Sequence, residues 1–172
     1  MILKNPIILV ILLITINIYG CSTSSIRENV YCSRAIDGDT IEIIYGLNTK
    51  TVRLIGIDAS ESFTHTNKYT KDIIACSKQI GKNPNKCKAE IKTYADIAKN
   101  RLKELCEGKN IQLKVIDKSS PYDRYGRILA YVEIDGVDIG RQMLEEGVVN
   151  IYNSFDHPRE LIYQLTWEQN ND

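Results

Sequence analysis

Arg53-Leu54-Ile55-Gly56-Ile57-Asp58-Ala59-Ser60-Glu61 is the stretch that decides how this chain is read. Its first half alternates an exposed position with aliphatic ones and reads as a buried strand, while Ala59 and Ser60 break the pattern and leave Glu61 on the loop beyond. Side chains alternate across a strand, so Arg53, Ile55 and Ile57 share one face and Asp58 falls on the other. Asp58 reaches the Arg53 side only if the strand bends near its end, and Gly56 is where the sequence permits a bend. With the bend, one strand delivers Arg53, Asp58 and Glu61 to a single rim. Without it, the stretch is a surface strand carrying an ion pair of little consequence.

Working outward, Val30 to Ile36 and Thr40 to Tyr45 read as strands joined by Asp37-Gly38-Asp39, and Gly46-Leu47-Asn48 turns the chain into a third strand, Thr51 to Ile57. Ser62 to Pro84 is polar and irregular, with a short helical piece at Lys71 to Ile80. Ala89 to Cys106 places Ile91, Tyr94, Ala95, Ala98, Leu102, Leu105 and Cys106 at helical spacing before Gly108 stops it. Ile111 to Ile116 and Ile128 to Ile134 are the fourth and fifth strands, the latter ended by Asp135-Gly136. A short helix follows at Ile139 to Glu146, stopped by Gly147, then an extended piece at Val148 to Tyr152. Asp156 as N-cap and Pro158 as first residue predict a last helix carrying Leu161, Ile162 and Leu165, with Trp167 as a packing residue. Three meander strands, a helix and two more strands predict an α+β, mainly β domain over residues 30–172. Its expected form is a five-stranded OB-fold Greek-key barrel with two to three packed helices.

The 172 residues carry 22 basic and 22 acidic side chains, so the chain has no global attraction for polyanions and an anionic substrate needs a local site. The one basic segment lies between Ser62 and Lys109, with 11 Lys or Arg against five Asp or Glu. A solvated helix face explains such a run as often as nucleic-acid contact does. Residues 1–20 read as a leader, with one charge at Lys4 and an aliphatic run from Ile7 to Ile16 too short for a span of about 20 residues. Tyr19-Gly20-Cys21 after that run resembles the lipobox of bacterial lipoproteins. It predicts a signal peptide, a lipid-bearing Cys21, a tether over 21–29 and a domain anchored at the cell envelope. A plain secretory signal or an uncleaved anchor are the alternatives, and all three place the domain outside the cytoplasm.

Setting Cys21 aside, four of the five cysteines remain, and an even set in an exported chain suggests disulfides. Cys76 with Cys87 is the favoured pair because both fall in one lysine-rich excursion that has little else to hold it. Cys32 with Cys106 would then tie the first strand to the main helix. The absence of a Cys-x-x-Cys and of a cysteine–histidine cluster argues against zinc. His65 and His157 sit in polar, loop-like contexts and read as isolated surface histidines.

Asp37-Gly38-Asp39-Thr40 reads as a tight turn, and also as a place where a scaffold can aim carboxylates. Asp39 and Asp58 together offer hard anionic oxygens suited to calcium or magnesium. Asp123-Arg124-Tyr125-Gly126-Arg127 brings an arginine to the start of the fifth strand, where with Arg53 it can grip a phosphate from two sides.

Taken in order, these pieces resemble the thermonuclease, or staphylococcal-nuclease-like, family. The resemblance runs from about Tyr31 to Tyr152, through Ala35-Ile36-Asp37-Gly38-Asp39-Thr40, Arg53 to Asp58 with Glu61, Asp123 to Arg127 with Leu129-Ala130-Tyr131, and Leu144-Glu145-Glu146-Gly147. It implies an OB barrel and a calcium-dependent phosphodiesterase acting on DNA and RNA with little sequence preference, favouring single strands and leaving 3′-phosphate ends, as a monomer. By position it implies one Ca²⁺ held by Asp39, Asp58 and the carbonyl of Ala59. Glu61 takes the carboxylate role at the attacking water, Arg53 and Arg127 the phosphate-binding role, and Asp37 and Tyr125 supporting roles. Ser60 stands where the family usually has proline. The alternative is a catalytically silent OB module that binds single-stranded nucleic acid or a protein partner at the envelope.

Overall fold

The computed structural model of this chain describes residues 26–60, 67–81, 83–117, 119–152 and 157–171. The leader, Cys21, Glu61, His65 and Asp156 lie outside the described residues. Among the described residues, eight strands and four helices follow in chain order: β1 (Ile26–Ala35), β2 (Thr40–Tyr45), β3 (Asn48–Leu54), β4 (Ile57–Asp58), α1 (Asn67–Ile80), α2 (Pro84–Cys106), β5 (Asn110–Val115), β6 (Ile128–Ile134), β7 (Val137–Asp138), α3 (Ile139–Glu145), β8 (Asn150–Ile151) and α4 (Glu160–Asn171).

β1, β2 and β3 form the expected meander, β5 pairs with β1, and β6 pairs with β5. A parallel pairing of β3 with β6, Val52 opposite Ile128 and Leu54 opposite Ala130, closes the ring. The order β3-β2-β1-β5-β6, shut on itself, is the five-stranded barrel the sequence predicts, with β7 as a short extra strand on β6. Ile41, Ile43, Val52, Leu54, Ile111, Leu113, Ala130 and Val132 fill it and are all buried. Each large aliphatic side chain so buried favours folding by about 1.5–3 kcal/mol. α2, α3 and α4 cover this core through Ala98, Leu102 and Cys106, through Ile139, Met143 and Leu144, and through Tyr163.

Several boundaries differ from the sequence reading, among them α1, which starts at Asn67 and not Lys71, and α4, which starts at Glu160 and not Pro158. β1 starts at Ile26, inside the stretch read as tether, because Ile26 to Tyr31 pair with β5 from Val115 back to Asn110. α2 begins five residues before Ala89, where Asn83 caps the Asn85 N–H at 2.8 Å and Pro84 opens the helix. The third strand ends at Leu54, and Ile57–Asp58 leave the barrel to pair with β8.

Cys76 and Cys87 are joined in a disulfide between α1 and α2. They sit in a small cluster with Ile73 and Ile91 that is separate from the barrel core. The second expected pairing is corrected: Cys32 and Cys106 are buried free thiols. The link from β1 to the end of α2 is made by backbone instead, Cys32 N–H to the Lys109 carbonyl and Gly108 N–H to the Cys32 carbonyl, each 2.9 Å. The two cysteines act as small apolar side chains, and burial pushes their thiols up to about 11 and about 12, which suppresses the reactive thiolate.

The disulfide closes a loop of sequence separation 11, which in the chain-entropy description is worth about 2.8 kcal/mol. Because the cluster it serves is separate from the barrel core, reduction is expected to loosen α1 and the first turns of α2 alone. Hydrogen exchange read by mass spectrometry should show lost protection over residues 67–93 and unchanged protection in β1–β3. Loss spread evenly over both would contradict this partition.

Candidate active site

Arg53 stands on the outer wall of the barrel, opposite Thr40 of β2 and Leu129 of β6. One guanidinium nitrogen, Nη2, lies 3.1 Å from Asp39 Oδ2 and 3.3 Å from Asp58 Oδ1. The other, Nη1, donates to the carbonyl of Leu54 at 3.0 Å. The Arg53 side chain is only 12% exposed, so these contacts are not screened as a surface pair would be. Three residues singled out from the sequence thus meet at one point.

Two loops make this possible. Between β1 and β2, Asp39 N–H donates to Asp37 Oδ1 at 3.1 Å, and Leu54 N–H to the Asp39 carbonyl at 2.9 Å, so Asp37 acts by shaping the turn that carries Asp39. Gly38 has to be glycine for reasons of space: a Cβ there would lie 2.5 Å from the Cβ of Ala98 on α2 and 2.6 Å from that of Ala59. At the end of β3, Gly56 takes φ +82°, a conformation glycine adopts at little expense. The chain turns there, Gly56 accepts from Tyr152 N–H at 2.9 Å, and Ile57–Asp58 run antiparallel to Asn150–Ile151. That is the bend the parity of Arg53 and Asp58 requires.

The Asp39 carboxylate is buried. Oδ1 accepts from the Thr40 hydroxyl at 2.9 Å and Oδ2 from the Ala59 N–H at 2.8 Å. Burial raises its pKa above the ordinary aspartate value, with the Arg53 guanidinium and these hydrogen bonds pulling the other way. Arg53 therefore serves as counter-charge to an aspartate that would otherwise resist ionisation. Asp39 Oδ2 and Asp58 Oδ1, both held by one nitrogen, can be no more than about 6.4 Å apart, the two contact distances end to end. Calcium binds oxygen at about 2.3–2.6 Å, so a shift of roughly 1–2 Å brings both carboxylates within range of one ion. Among the described residues no group of three or more His, Cys, Asp or Glu gathers to hold a metal. The hard oxygens that the described residues bring to this point are those of the two carboxylates. Of Ala59, the structure shows the N–H on Asp39. Glu61, three residues beyond Asp58, is not among the described residues.

Arg127 enters β6 one residue before Ile128, which pairs with Val52; by strand alternation it belongs to the same outer face as Arg53. Its guanidinium is held by Asp123, Nε to Oδ2 at 2.7 Å, and its N–H donates to Asp123 Oδ1 at 2.9 Å. Burial pushes the Asp123 carboxyl up, but the hydrogen bonds from Arg127 and Tyr125 outweigh it and hold the carboxyl below its usual value. Tyr125 is exposed, with the Arg124 and Arg127 guanidinium carbons 4.7 and 5.4 Å from its ring centre.

Sequence reasoning left Tyr152 without an assigned role and misread His157. The Tyr152 ring lies 5.7 Å from the Arg53 guanidinium carbon, and only the pairing of β8 with β4 brings it there. His157 is buried, 2.7 Å from the Tyr131 hydroxyl through Nδ1, which corrects the surface reading. With Tyr163 it forms the floor under Gly56: a Cβ on Gly56 would meet the Tyr163 ring at 2.7 Å and His157 Cε1 at 2.8 Å. Arg159 completes this support. It ion-pairs with Glu133 and Asp138 and stacks on Tyr131 at 4.3 Å, while Asp138 also accepts from the Tyr163 hydroxyl at 2.9 Å.

Comparison with known proteins adds a family. A family model described as staphylococcal nuclease homologue matches residues 51–171, beginning after Asp37 and Asp39. The chain is 33% identical over 141 residues to "Endonuclease YncB" of Bacillus subtilis (strain 168), which covers 82% of this chain and 56% of that protein. It is 35% identical over 137 residues to the "SPbeta prophage-derived endonuclease YokF" of the same organism, covering 80% and 38%. Against "Thermonuclease" of Staphylococcus intermedius the identity is 29% over 150 residues, covering 86% and 75%. The chain thus spans about half the length, or less, of the two Bacillus relatives.

Proposed function

The chain belongs to the staphylococcal nuclease homologue family, and from that premise we propose that it hydrolyses phosphodiester bonds of DNA and RNA with the help of one bound calcium ion. The observation that carries the reading is the single guanidinium nitrogen of Arg53 shared by Asp39 and Asp58. It brings a guanidinium and two carboxylates to one point on the barrel wall, which supports a site for a phosphate and a divalent ion. A phosphodiester resists attack because it and hydroxide are both anionic; a divalent ion there supplies charge that offsets the repulsion. Asp39 and Asp58 would hold the ion. Arg53 and Arg127 grip the phosphate oxygens and stabilise the charge that develops on them. Glu61, three residues after Asp58 in the sequence, would hold or take a proton from the attacking water. Tyr152 and Tyr125 flank the two arginines as apolar walls for the nucleotide. The charged groups of the site answer to phosphate and not to base edges, so substrate choice follows access to single strands more than base identity.

The same proposal places the domain outside the cytoplasm, tethered through Cys21. The disulfide between Cys76 and Cys87 supports this, since such bonds persist in oxidising compartments.

Residues 22–172 with denatured DNA and calcium are expected to give cleavage products ending in 3′-phosphate, and excess chelator should abolish them. Cleavage that survives the chelator would remove the metal from the reading. Binding without cleavage under both conditions would favour the silent module.

A further inference from the structure

Four of the five lysines of α2 share one flank, Lys86 being the exception. At the α-helical pitch, Lys88, Lys92, Lys99 and Lys103 fall within a sector of about 60° and extend over about 22 Å of helix. The flank runs beside the buried stripe of Ala95, Ala98, Leu102 and Cys106. Tyr94, Ile97, Arg101 and Glu104 occupy the far flank, where Arg101 is taken up by Glu146 of the α3 C-cap at 2.6 Å. Among the described residues, Lys103 alone of the four has an ion pair, a 3.6 Å contact to Glu107 at a 58% exposed side chain, which is worth little. Within α2, Asp96 is the acid at the edge of the flank, and Glu107 at the C-cap is a second beside Lys103. In a chain of zero net charge this is a concentration of uncommitted cations on a rigid element.

Its position gives it a use. The Ala98 turn of α2, next to Lys99, is wedged against Gly38 and Ala59, the neighbours of Asp39 and Asp58. Toward the helix N-terminus, the disulfide at Cys87 fixes the turn from which Lys88 and Lys92 project. We propose that this lysine flank is a second binding surface for the phosphate backbone of the nucleic-acid substrate, holding a single strand that runs away from the cleavage site along α2. It rests on the nuclease reading of the Arg53 site. A strand long enough to reach the flank gains three or four phosphate contacts that a dinucleotide does not.

The test combines Lys88→Gln, Lys92→Gln, Lys99→Gln and Lys103→Gln, all at positions where glutamine keeps the helix. Binding of a labelled single-stranded oligonucleotide of about 16 nucleotides, the upper site size for one OB fold, is read by anisotropy in chelator so that cleavage does not intervene. The slope of log K against log salt should become shallower by about 2–3, as expected for three or four lost phosphate contacts on a single strand. Low-salt affinity should fall about 10–100-fold, with turnover of a dinucleoside phosphate unchanged and melting temperature preserved. Unaltered affinity and salt slope would overturn the proposal and leave the nuclease reading standing. Absence of cleavage in the parent protein would fail the nuclease reading, while the binding measurement still judged the flank. If the variant instead lost binding to phosphatidylglycerol–phosphatidylcholine vesicles and kept the oligonucleotide, the flank would be a membrane surface and the proposal would fall.

Discussion

Replacing Arg53 with alanine is expected to lower kcat for phosphodiester cleavage by about 10²–10³, the loss that follows removal of one preorganised donor from an oxyanion site. Arg53 is also the counter-ion of two carboxylates, one of them buried. Without it Asp39 keeps its hydrogen bonds from Thr40 and Ala59 but loses the charge that opposes its burial. Breaking a buried pair by removing one partner is destabilising by about 3–5 kcal/mol, and the exposure of Asp58 puts the figure here toward the lower end. Calcium can supply the missing charge. Added calcium should therefore raise the melting temperature of Arg53→Ala by more than it raises that of the parent, and calcium should bind the variant more tightly because no guanidinium competes for the same oxygens. Arg53→Lys keeps the charge and loses the fork, so it should recover stability while recovering little of kcat. Parent-like turnover in Arg53→Ala would remove this arginine from the reaction. A calcium-induced shift equal in parent and variant would show that the ion does not bind between Asp39 and Asp58.

What the sequence disclosed about this site came from local rules. Arg53 and Asp58 stand on opposite faces of any regular strand, and a glycine lies between them. From those two facts the bend at Gly56 could be inferred, and the structure places it there with φ +82°. The Asp37-Gly38-Asp39 turn was legible in the same way. The barrel order followed from alternation and spacing, because each strand buries its own alternate residues whatever its neighbours are. Features set by distant partners were hidden. Nothing near His157 marks it as buried, because its cavity is built by Gly56, Tyr131 and Tyr163. The start of β1 at Ile26 depends on β5, more than eighty residues later. Cys32 and Cys106 were paired by elimination, yet burial and a backbone link between β1 and the end of α2 answer for both. Asn83-Pro84 was a readable helix start that the apolar periodicity alone overlooked.

Gly56→Ala is expected to be strongly damaging for a substitution that adds one methyl group. Two separate penalties meet at that position. A non-glycine residue at positive φ is strained by roughly 1–2 kcal/mol. The new methyl group would also sit 2.7 Å from two atoms of the Tyr163 ring and 2.8 Å from His157 Cε1. Neither ring can yield easily: the Tyr163 hydroxyl is bonded to Asp138, Asp138 to Arg159, and His157 to Tyr131. Overpacking of this kind adds about 1–3 kcal/mol, so urea denaturation should show a total loss of about 2–5 kcal/mol. Gly46→Ala separates the two penalties, since Gly46 has φ +63° with nothing within 4 Å of its added Cβ; it should lose only the strain. The Gly56 variant should also lose cleavage beyond its loss of folded protein, by at least about tenfold under conditions where it is fully folded. The turn at Gly56 is what returns Asp58 to Arg53, and a methyl that pushes it off Tyr163 moves the carboxylate away from its partners. Equal destabilisation of Gly46→Ala and Gly56→Ala would mean that the aromatic floor gives way freely. Full specific activity in folded Gly56→Ala would mean that the position of Asp58 does not depend on the bend.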